Sequence, residues 1–329
     1  MKKDLTRTEE DTMAERISLI VPCFNEESAL PLFWEKVAQV MEEMREQEFE
    51  IIFVDDGSKD GTLAVIEQLA KQDGRVKYLS FSRNFGKEAA MYAGFQYAGG
   101  DYIATMDADL QDPPDLLPEL YHAVAVEGYD SAATRRVTRR GEPPVRSFFA
   151  HMFYRLINRM SNVDIVDGAR DFRFMNRKFV NALLELKEYN RFSKGLFGWV
   201  GFKTKWIEFE NVKRVAGETK WSFWKLFKYS IEGMVAFTTT PLVVASFAGF
   251  FLCLLSFIAT IFIVVRKLLM GDPVPGWPSL ACIITFLSGI LLFFMGILGQ
   301  YMAKMYLEIK DRPIYLVDKT NMEKKNDVD

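Results

Sequence analysis

Residues 102–112 read YIATMDADLQD, a short apolar run that ends at Met106, directly before a cluster of carboxylate and amide side chains. Three similar apolar runs precede it, at 17–21, 49–55 and 76–81, and stretches with helical spacing separate them. Strands that alternate with helices along a chain build sheets of parallel strands covered by helices. The pattern therefore predicts an α/β fold with a mostly parallel sheet.

The helical stretches are amphipathic. Apolar residues after the first run recur at spacings of three and four, which places them on one face of a helix. After the second run, Ser58 stands where it would cap a helix that carries Leu63, Ile66 and Leu69. The stripe of the first helix consists of Leu30, Phe33, Val37, Val40, Met41 and Met44.

The composition excludes several classes of protein. The chain has 329 residues with 41 Lys+Arg against 44 Asp+Glu, a net charge of −3, so it is not expected to bind nucleic acid through bulk charge. Apolar residues make up 49% of the chain, which excludes disorder except at the ends. Three scattered cysteines predict no disulfide framework. Residues 1–15 are charged and lack an apolar run, so they predict a flexible N-terminus and no signal peptide.

Two long uncharged runs dominate the C-terminal third. Residues 241–265 and 277–303 contain no charged side chain, and each exceeds the roughly 20 residues that a helix needs to cross a bilayer. Basic residues flank this pair more densely than they occupy the linker, so the positive-inside rule predicts a hairpin in the cell membrane with both termini in the cytoplasm. The expected segments are a cytoplasmic domain at 16–212, a basic amphipathic segment at 213–235, transmembrane helices at 236–265 and 277–303, an extracytoplasmic loop at 266–276, and a cytoplasmic tail at 304–329 that is disordered from Lys319 onward.

Two further segments predict helices that lie in the membrane interface. Residues 131–180 carry eleven basic and four acidic residues, so this part of the chain would attract an anionic surface or ligand. Within it, apolar residues between Phe149 and Met160 fall on one helical face, and those between Trp224 and Met234 do the same. Packing of these faces against the sheet is the alternative.

Polar side chains follow each of the four predicted strands, at 22–26, 55–58, 82–87 and 107–112. The carboxyl ends of parallel strands lie at one edge of a sheet, and folds of this kind bind ligands beyond that edge. The four clusters therefore predict a binding site there.

The last cluster has the donor chemistry of a metal site. Asp107, Asp109 and Gln111 present oxygen atoms, and Mg²⁺ or Mn²⁺ takes one or two carboxylates together with substrate phosphates. The alternative interpretation of this cluster is a solvated turn. For Asp56 and Ser58 the alternative is a turn followed by a helix cap. Acidic groups on neighbouring strand ends would repel one another without a cation or donor groups between them.

In their order along the chain, these elements resemble the family 2 glycosyltransferases of the GT-A fold, in particular the membrane-anchored polyprenyl-phosphate glycosyltransferases. Bactoprenol glucosyltransferases and, more distantly, dolichol-phosphate mannose synthases are of this type. The resemblance covers residues 16–313. It rests on Val21-Pro-x-Phe-Asn-Glu26, Asp55-Asp-Gly-Ser58, Ser82-Arg-Asn-Phe-Gly-Lys87, Asp107-Ala-Asp-Leu-Gln-Asp-Pro-Pro114, an arginine loop, Gly168-Ala-Arg-Asp-Phe-Arg173, Lys213-Arg-x-x-Gly217-x-Thr-Lys220 and the C-terminal helix pair.

The resemblance implies a Rossmann-like GT-A domain with a role for each matching position. Lys87 would lie near the donor and Asp107 would face the nucleotide. Asp109 and Gln111 would hold the metal on the diphosphate, and Asp171 would lie near the anomeric carbon. The nucleotide base and ribose would be lined by Pro22, Phe24, Asn25, Glu26 and Asp56, and the acceptor phosphate would be bound by Arg135, Arg136, Arg139, Arg140, Arg214 and Lys220.

Two positions depart from the family pattern. The usual Gly-Asp-Phe-Arg appears here with Arg170 before Asp171, so Asp167 and Asp171 are both candidates for the catalytic carboxylate. The usual Gly-x-Ser-Lys has Thr219 in place of serine.

The implied reaction is the transfer of one sugar from a nucleotide sugar to undecaprenyl phosphate or a similar lipid, with inversion, for cell-envelope glycan modification. UDP-glucose is the favoured donor, and UDP-galactose, UDP-N-acetylglucosamine and GDP-mannose are the alternatives. A phosphate monoester has a second pKa of about 6, so the acceptor is already an anion at neutral pH. Asp171 would therefore position the acceptor, and the metal would neutralise the leaving nucleoside diphosphate.

Two rival functions are distinguishable in the sequence. A processive polysaccharide synthase would carry a Gln-x-x-Arg-Trp motif and more membrane spans, and neither is present. An inactive membrane scaffold would not need Asp107, Asp109 and Gln111. Small residues at Gly289, Gly296 and Gly299 predict close helix approach, either within the hairpin or in a homo-oligomer.

Overall fold

The computed structural model describes residues 14–137, 166, 168–210, 238–270 and 276–323. The chain divides into two compact units. Among the described residues, the sheet unit comprises 14–137, 166, 168–210 and 313–323, and the helical unit comprises 238–270 and 276–312.

Eight strands in the described part of the chain form one sheet. They are β1 (Arg16–Cys23), β2 (Glu48–Asp55), β3 (Val76–Phe81), β4 (Tyr102–Thr105), β5 (Ser131–Arg136), β6 (Ala169–Asn176), β7 (Thr204–Phe209) and β8 (Val317–Thr320). Their order across the sheet is β7-β5-β6-β4-β1-β2-β3-β8.

The four predicted strands form the parallel centre of this sheet. β1 pairs in parallel with β2 and β4, and β2 pairs in parallel with β3. Cys23 lies beside Asp55 in register, and Ile20 lies beside Thr105, so these strands end at a common edge. Every residue of β2 from Phe49 to Asp55 is buried, as expected for a strand covered on both faces. The predicted α/β fold with a mostly parallel sheet is confirmed.

The remaining strands were not predicted. β6 pairs antiparallel with both β4 and β5, and β7 pairs in parallel with β5. β8 pairs antiparallel with β3, so the prediction of disorder from Lys319 is wrong for the residues up to 323. The edge of β3 offers unpaired backbone groups, and the polar tail satisfies them with its own backbone. β3 and β8 are about 240 residues apart in the chain, and pairing between such distant segments leaves no local signal in the sequence.

Six helices of the sheet unit are described. They are α1 (Leu30–Glu43), α2 (Thr62–Gln72), α3 (Lys87–Tyr97), α4 (Leu117–Tyr121, continued by a π-helical turn), α5 (Arg177–Glu185) and α6 (Ser193–Trp199). The apolar stripe predicted for α1 is buried as a whole. Ser58 does not cap α2, because the helix begins at Thr62 and the carboxylate of Asp60 accepts from the Thr62 amide at 3.1 Å. α3 is buried on nearly all sides, and a Cβ at Gly94 would collide with Ile20.

The helical unit consists of two long apolar helices, α7 (Thr240–Met270) and α8 (Trp277–Ile309). Windows at Thr240–Ala259 and Phe286–Ile309 have mean hydropathies of 2.5 and 1.7, and neither window is buried inside the protein. Large exposed apolar patches mark membrane or protein contacts. By length and composition the two helices could cross a membrane, as predicted. Both helices continue past the C-terminal ends predicted for the spans, and α7 begins at Thr240, after the predicted start at 236.

Some predictions for this region remain open. Among the described atoms, none outside the helix backbone lies within 4 Å of a Cβ built at Gly289, Gly296 or Gly299. Helix contact within the hairpin and a homo-oligomer both stay predictions. The interfacial helices predicted at 149–160 and 224–234 lie outside the described residues.

Candidate active site

The loops that follow β1 and β2 are tied together through Asn25. Asn25 has a φ of 55°, a left-handed conformation that asparagine tolerates better than most residues. Its amide donates to Ser58 Oγ at 2.9 Å, and its side-chain oxygen accepts from the Lys59 amide at 2.9 Å. The amide of Glu26 donates to Thr62 Oγ1 at 2.8 Å. The predicted nucleotide-binding loop is thus held in place by side chains of the neighbouring strand end.

Two other predicted nucleotide contacts lie at the end of β1. Pro22 is the penultimate residue of the strand, beside Val54, and the half-buried Phe24 follows it. Cys23 between them is buried, and burial raises the pKa of its thiol well above the ordinary value. Cys23 is therefore a packing residue, not a nucleophile.

Asp56 anchors the loop that leads into α3. Its buried carboxylate accepts from the amides of Phe85 at 2.6 Å and Gly86 at 2.9 Å. Burial raises the pKa of Asp56 to about 6, and these two amides oppose the rise. Gly57 has a φ of 65°, and a Cβ there would collide with the Arg83 backbone, so only glycine allows this approach.

Lys87 lies between two carboxylates, and the three residues Lys87, Asp107 and Asp171 form what we call the Lys87 centre. Lys87 Nζ is 2.6 Å from Asp107 Oδ1 and 2.5 Å from Asp171 Oδ2. Burial alone would lower the pKa of Lys87, but Asp107 and Asp171 outweigh it and raise that pKa above its ordinary value. Burial likewise opposes ionisation of Asp171, yet Lys87 and then Lys194 hold its pKa well below the usual range. Asp171 is therefore ionised at neutral pH and is a weak base.

Three half-buried oxygen donors follow β4. Asp109 Oδ1 accepts from the amide of Gln111 at 3.1 Å, across Leu110, whose φ is 56°. In the described part of the chain no three His, Cys, Asp or Glu residues lie close enough to hold a metal ion by themselves. Mg²⁺ and Mn²⁺ accept one or two carboxylates when phosphate oxygens complete the shell. Asp107, Asp109 and Gln111 fit a metal that arrives with a diphosphate.

A second charged pair joins this loop to β6. Asp112 has no exposed side-chain surface, and the guanidinium of Arg170 bonds to it at 2.7 Å. Burial raises the pKa of Asp112 to about 6, and the charge of Arg170 opposes that rise. Because Arg170 immediately precedes Asp171, the pair fixes the loop after β4 relative to Asp171. Arg170 is a departure from the family pattern that is visible in the sequence, but nothing in the sequence pointed to Asp112, 58 residues away, as its partner.

A third contact, which the sequence analysis missed, joins α3 to α6. The half-buried carboxylate of Glu88 accepts from the Ser193 amide at 2.9 Å and also from the Ser193 hydroxyl. Burial raises the pKa of Glu88. Since Glu88 follows Lys87 and Lys194 follows Ser193, this contact fixes both lysines whose charges act on Asp171. Neither Glu88 nor Ser193 belongs to a motif that can be recognised in the sequence.

Arg173 is a buried cation behind the site. It donates to Ser131 Oγ at 2.9 Å, and its guanidinium lies 4.4 Å from the ring centre of Phe197. Burial lowers its pKa to about 9, so it stays charged at neutral pH. Its surroundings are those of a packing residue that supports β6.

The predicted acceptor-binding arginines are only partly described. Arg135 and Arg136 are the last residues of β5, not part of a loop. The Arg135 guanidinium pairs with Glu208, and the amide of Arg136 donates to the Gly168 carbonyl at 3.0 Å. Because β5 pairs with β6 and β7 as far as Arg136, Arg135 and Arg136 lie in a strand and not in the predicted arginine loop. Arg139, Arg140, Asp167, Arg214 and Lys220 lie outside the described residues.

Comparisons with known proteins identify the family of the chain. Residues 18–184 match the family described as Glycosyl transferase family 2. CsbB of Bacillus subtilis (strain 168), which is named a glycosyltransferase, is 44% identical over 94% of this chain and 93% of its own length. The SfII prophage-derived bactoprenol glucosyl transferase of Shigella flexneri is 40% identical over 93% of this chain and 98% of its own length. The crystal structure of mannosyl-3-phosphoglycerate synthase from Rubrobacter xylanophilus has a TM-score of 0.46 and 19% identity, over 68% of this chain and 73% of that one.

The family match spans half of the chain, and the relatives match it almost from end to end. The resemblance found in the sequence and the predicted GT-A fold are confirmed. The chain belongs to glycosyltransferase family 2 and is a glycosyltransferase.

Proposed function

We propose that this enzyme transfers a single glucose from UDP-glucose to undecaprenyl phosphate, or a similar polyprenyl phosphate, at the cytoplasmic face of the cell membrane. The observation that carries the proposal is the Lys87 centre, beside the oxygen donors that follow β4. The relatives named bactoprenol glucosyl transferases support the donor sugar and the lipid acceptor. The exposed apolar surfaces of α7 and α8 support a membrane site.

The donor diphosphate would bind at the edge of the sheet where β1, β2 and β4 end. Asp107, Asp109 and Gln111 would hold Mg²⁺ or Mn²⁺, which neutralises negative charge on the departing nucleoside diphosphate. Lys87 carries a positive charge at the same place and would contact a phosphate oxygen. The base and ribose would lie against Pro22, Phe24, Asn25, Glu26 and Asp56.

Transfer would need no proton acceptor. The phosphate oxygen of the acceptor attacks the anomeric carbon, the bond to the diphosphate oxygen breaks, and its electron pair leaves with the diphosphate. One displacement inverts the configuration at that carbon. The low pKa of Asp171 makes it a poor base, so its role would be to position the acceptor at the anomeric carbon and to stabilise positive charge that develops there.

The acceptor phosphate would be bound by arginine and lysine side chains. Arg135 and Arg136 end β5 close to Gly168 in the backbone, three residues before Asp171. Arginine suits phosphate because its guanidinium binds two oxygens at once. Arg139, Arg140, Arg214 and Lys220 complete the proposed set of acceptor-binding residues. Asp167 stays the alternative to Asp171 as the catalytic carboxylate.

The chain path supports a hairpin with both ends in the cytoplasm. The chain leaves the sheet unit before α7 and rejoins it at Pro313, after α8. Two crossings return a chain to the side from which it started, and Lys304, Lys310 and Arg312 near the end of α8 favour the cytoplasmic side.

The direct test is a transfer assay on membranes that contain the full chain. Undecaprenyl phosphate, Mg²⁺ or Mn²⁺ and labelled UDP-glucose, UDP-galactose, UDP-N-acetylglucosamine or GDP-mannose are supplied in turn, and label is measured in the organic phase. We expect label from UDP-glucose, inversion at the anomeric carbon, and loss of transfer on chelation of the metal.

Asp109→Ala and Asp115→Ala form a matched pair for this assay. Asp115 is an exposed carboxylate six residues further along. We expect Asp109→Ala to lower transfer by at least about 100-fold, and Asp115→Ala to leave it within about twofold. Label from a different sugar would correct the donor. Folded protein that yields no lipid-linked label with any donor would favour the membrane scaffold.

A further inference from the structure

The chain returns from the helical unit to close one edge of the sheet. At the far end of β8, Thr320 Oγ1 donates to the Tyr78 carbonyl at 2.7 Å, and the Tyr78 amide donates to Asn321 Oδ1 at 2.8 Å. Asn321 Nδ2 also donates to the Val76 carbonyl at 3.2 Å. These contacts lie at the start of β3, away from the site, and they pair backbone groups that an edge strand would leave open.

The residues directly before β8 make contacts of another kind. The ring of Tyr315 stacks on Phe81 with ring centres 5.0 Å apart, and its hydroxyl donates to Gln96 Oε1 at 2.6 Å. The carbonyl of Leu316 accepts from the Ser82 amide at 3.0 Å. Phe81 is the last residue of β3, and Gln96 belongs to α3. Tyr315 and Leu316 therefore brace β3 against α3, and we call these two residues the Tyr315 brace.

The loop between those two elements is the one that carries Lys87. Residues 82–86 connect Phe81 to α3, and Lys87 is the first residue of that helix. Phe85 packs edge-on against Phe81 at 5.8 Å, on a ring that Tyr315 also contacts. Asp56, directly after β2, holds the end of the loop next to α3 through the amides of Phe85 and Gly86. The Tyr315 brace holds the other end of the loop at Phe81 and Ser82, and it contacts α3 at Gln96 in the last turn of that helix.

We propose that Tyr315 is a positioning residue of the transferase. It holds the loop at 82–86 so that Lys87 stays between Asp107 and Asp171, and the donor diphosphate meets a preformed site. The segment that follows the second apolar helix thereby takes part in donor binding. The inference rests on the proposed function for its kinetic consequence, but the ordering of the loop can be measured without any substrate.

Three variants of the full chain test it. Tyr315→Ala removes the ring and the hydroxyl, Tyr315→Phe removes only the bond to Gln96, and Thr320→Val removes a bond of similar length at the far end of β8. Hydrogen exchange of the amides at 82–87 is followed in detergent. We expect exchange about tenfold faster in Tyr315→Ala, an intermediate change in Tyr315→Phe, and no change in Thr320→Val.

Transfer kinetics provide the second readout. We expect Tyr315→Ala to raise KM for the nucleotide sugar about tenfold with kcat changed less than threefold, and Thr320→Val to leave both unchanged. Unchanged loop exchange in Tyr315→Ala, or equal KM increases in Tyr315→Ala and Thr320→Val, would overturn the proposal, because β8 would then only protect the sheet edge. If the wild-type chain transferred no sugar, the proposed function would fail while loop exchange still decided the role of Tyr315.

Discussion

The Lys87 centre and the Asp112–Arg170 pair use the same charges in different surroundings. Side chains of the Lys87 centre are 39% exposed at Lys87, 25% at Asp107 and 19% at Asp171. Asp112 has no exposed side-chain surface, and its partner Arg170 is 23% exposed. A partly exposed cation can exchange a carboxylate for a phosphate, whereas the fully buried Asp112 cannot lose its cation without a stranded charge. One cluster is therefore suited to chemistry and the other to holding the loop that carries it.

The largest effect is expected at the exposed cluster. Lys87→Met removes the cation that lets Asp107 and Asp171 lie together, and it removes a donor contact. We expect kcat/KM for transfer to fall about 1000-fold, with Lys87→Arg retaining more activity than Lys87→Met. The unfolding temperature should fall less than for a variant that strands the buried Asp112, since the side chains of the centre are partly exposed to water. Activity of Lys87→Met within tenfold of wild type would show that the centre is structural.

The buried pair should behave in the opposite way. Arg170→Gln leaves the Asp112 carboxylate without its cation, and we expect a loss of about 3 kcal/mol in unfolding free energy. Adding Asp112→Asn should recover part of that loss, because no buried charge is then stranded. Denaturant unfolding of the full chain in detergent measures both. Kinetics of the folded double variant should stay within about tenfold of wild type. A larger kinetic loss with unchanged stability would place Arg170 among the reacting groups.

The buried carboxylate of Asp56 is held by neutral amides, so its contribution to the free energy of unfolding depends on pH. Its folded pKa of about 6 lies above its unfolded value, so folding favours the protonated form. The stabilisation is complete below about pH 4 and is lost as the pH rises through 6, a change of about 3 kcal/mol. Asp56→Asn should remove this decline between pH 4 and pH 6. Thermal unfolding of both proteins across that range measures it, and parallel curves would contradict the assignment.

The smallest effect on stability is expected at the exposed ion pair between Arg135 and Glu208. Glu208→Gln should change the unfolding free energy by less than about 1 kcal/mol, since water already screens this pair. Arg135→Gln should have an equally small effect on stability but should raise KM for the lipid phosphate. If both variants left that KM unchanged, Arg135 would not belong to the acceptor site.

The parallel centre of the sheet could be predicted because its signals are local. Strands β1 to β4 are apolar runs, and the polar residues that follow them are adjacent in sequence. Parallel pairing places Lys87 and Asp107 at the same edge of the sheet, but β1 and β2 lie between β4 and β3, so their contact depends on the path of the loop at 82–86. The resemblance to family 2 glycosyltransferases added Asp171, which no spacing rule would have placed there.

What could not be predicted depends on contacts between distant residues. β5, β6 and β7 lack the strong apolar runs of the centre and are stabilised by pairing with one another. β8 is a polar segment that becomes a strand only because β3 offers an open edge. Asp112 with Arg170, and Glu88 with Ser193, are joined across 58 and 105 residues. Burial decides their roles, and a sequence does not record burial of an isolated polar residue.

The most direct test of the central claim measures lipid-linked glucose in a single turnover. Full-length wild type, Asp171→Asn and Asp115→Asn are incubated in membranes with labelled UDP-glucose and undecaprenyl phosphate, and the anomeric configuration of the product is determined. The account predicts an inverted glucosyl lipid from wild type and Asp115→Asn, and a rate lowered about 1000-fold in Asp171→Asn. Equal rates for all three proteins, or a product of retained configuration, would contradict it.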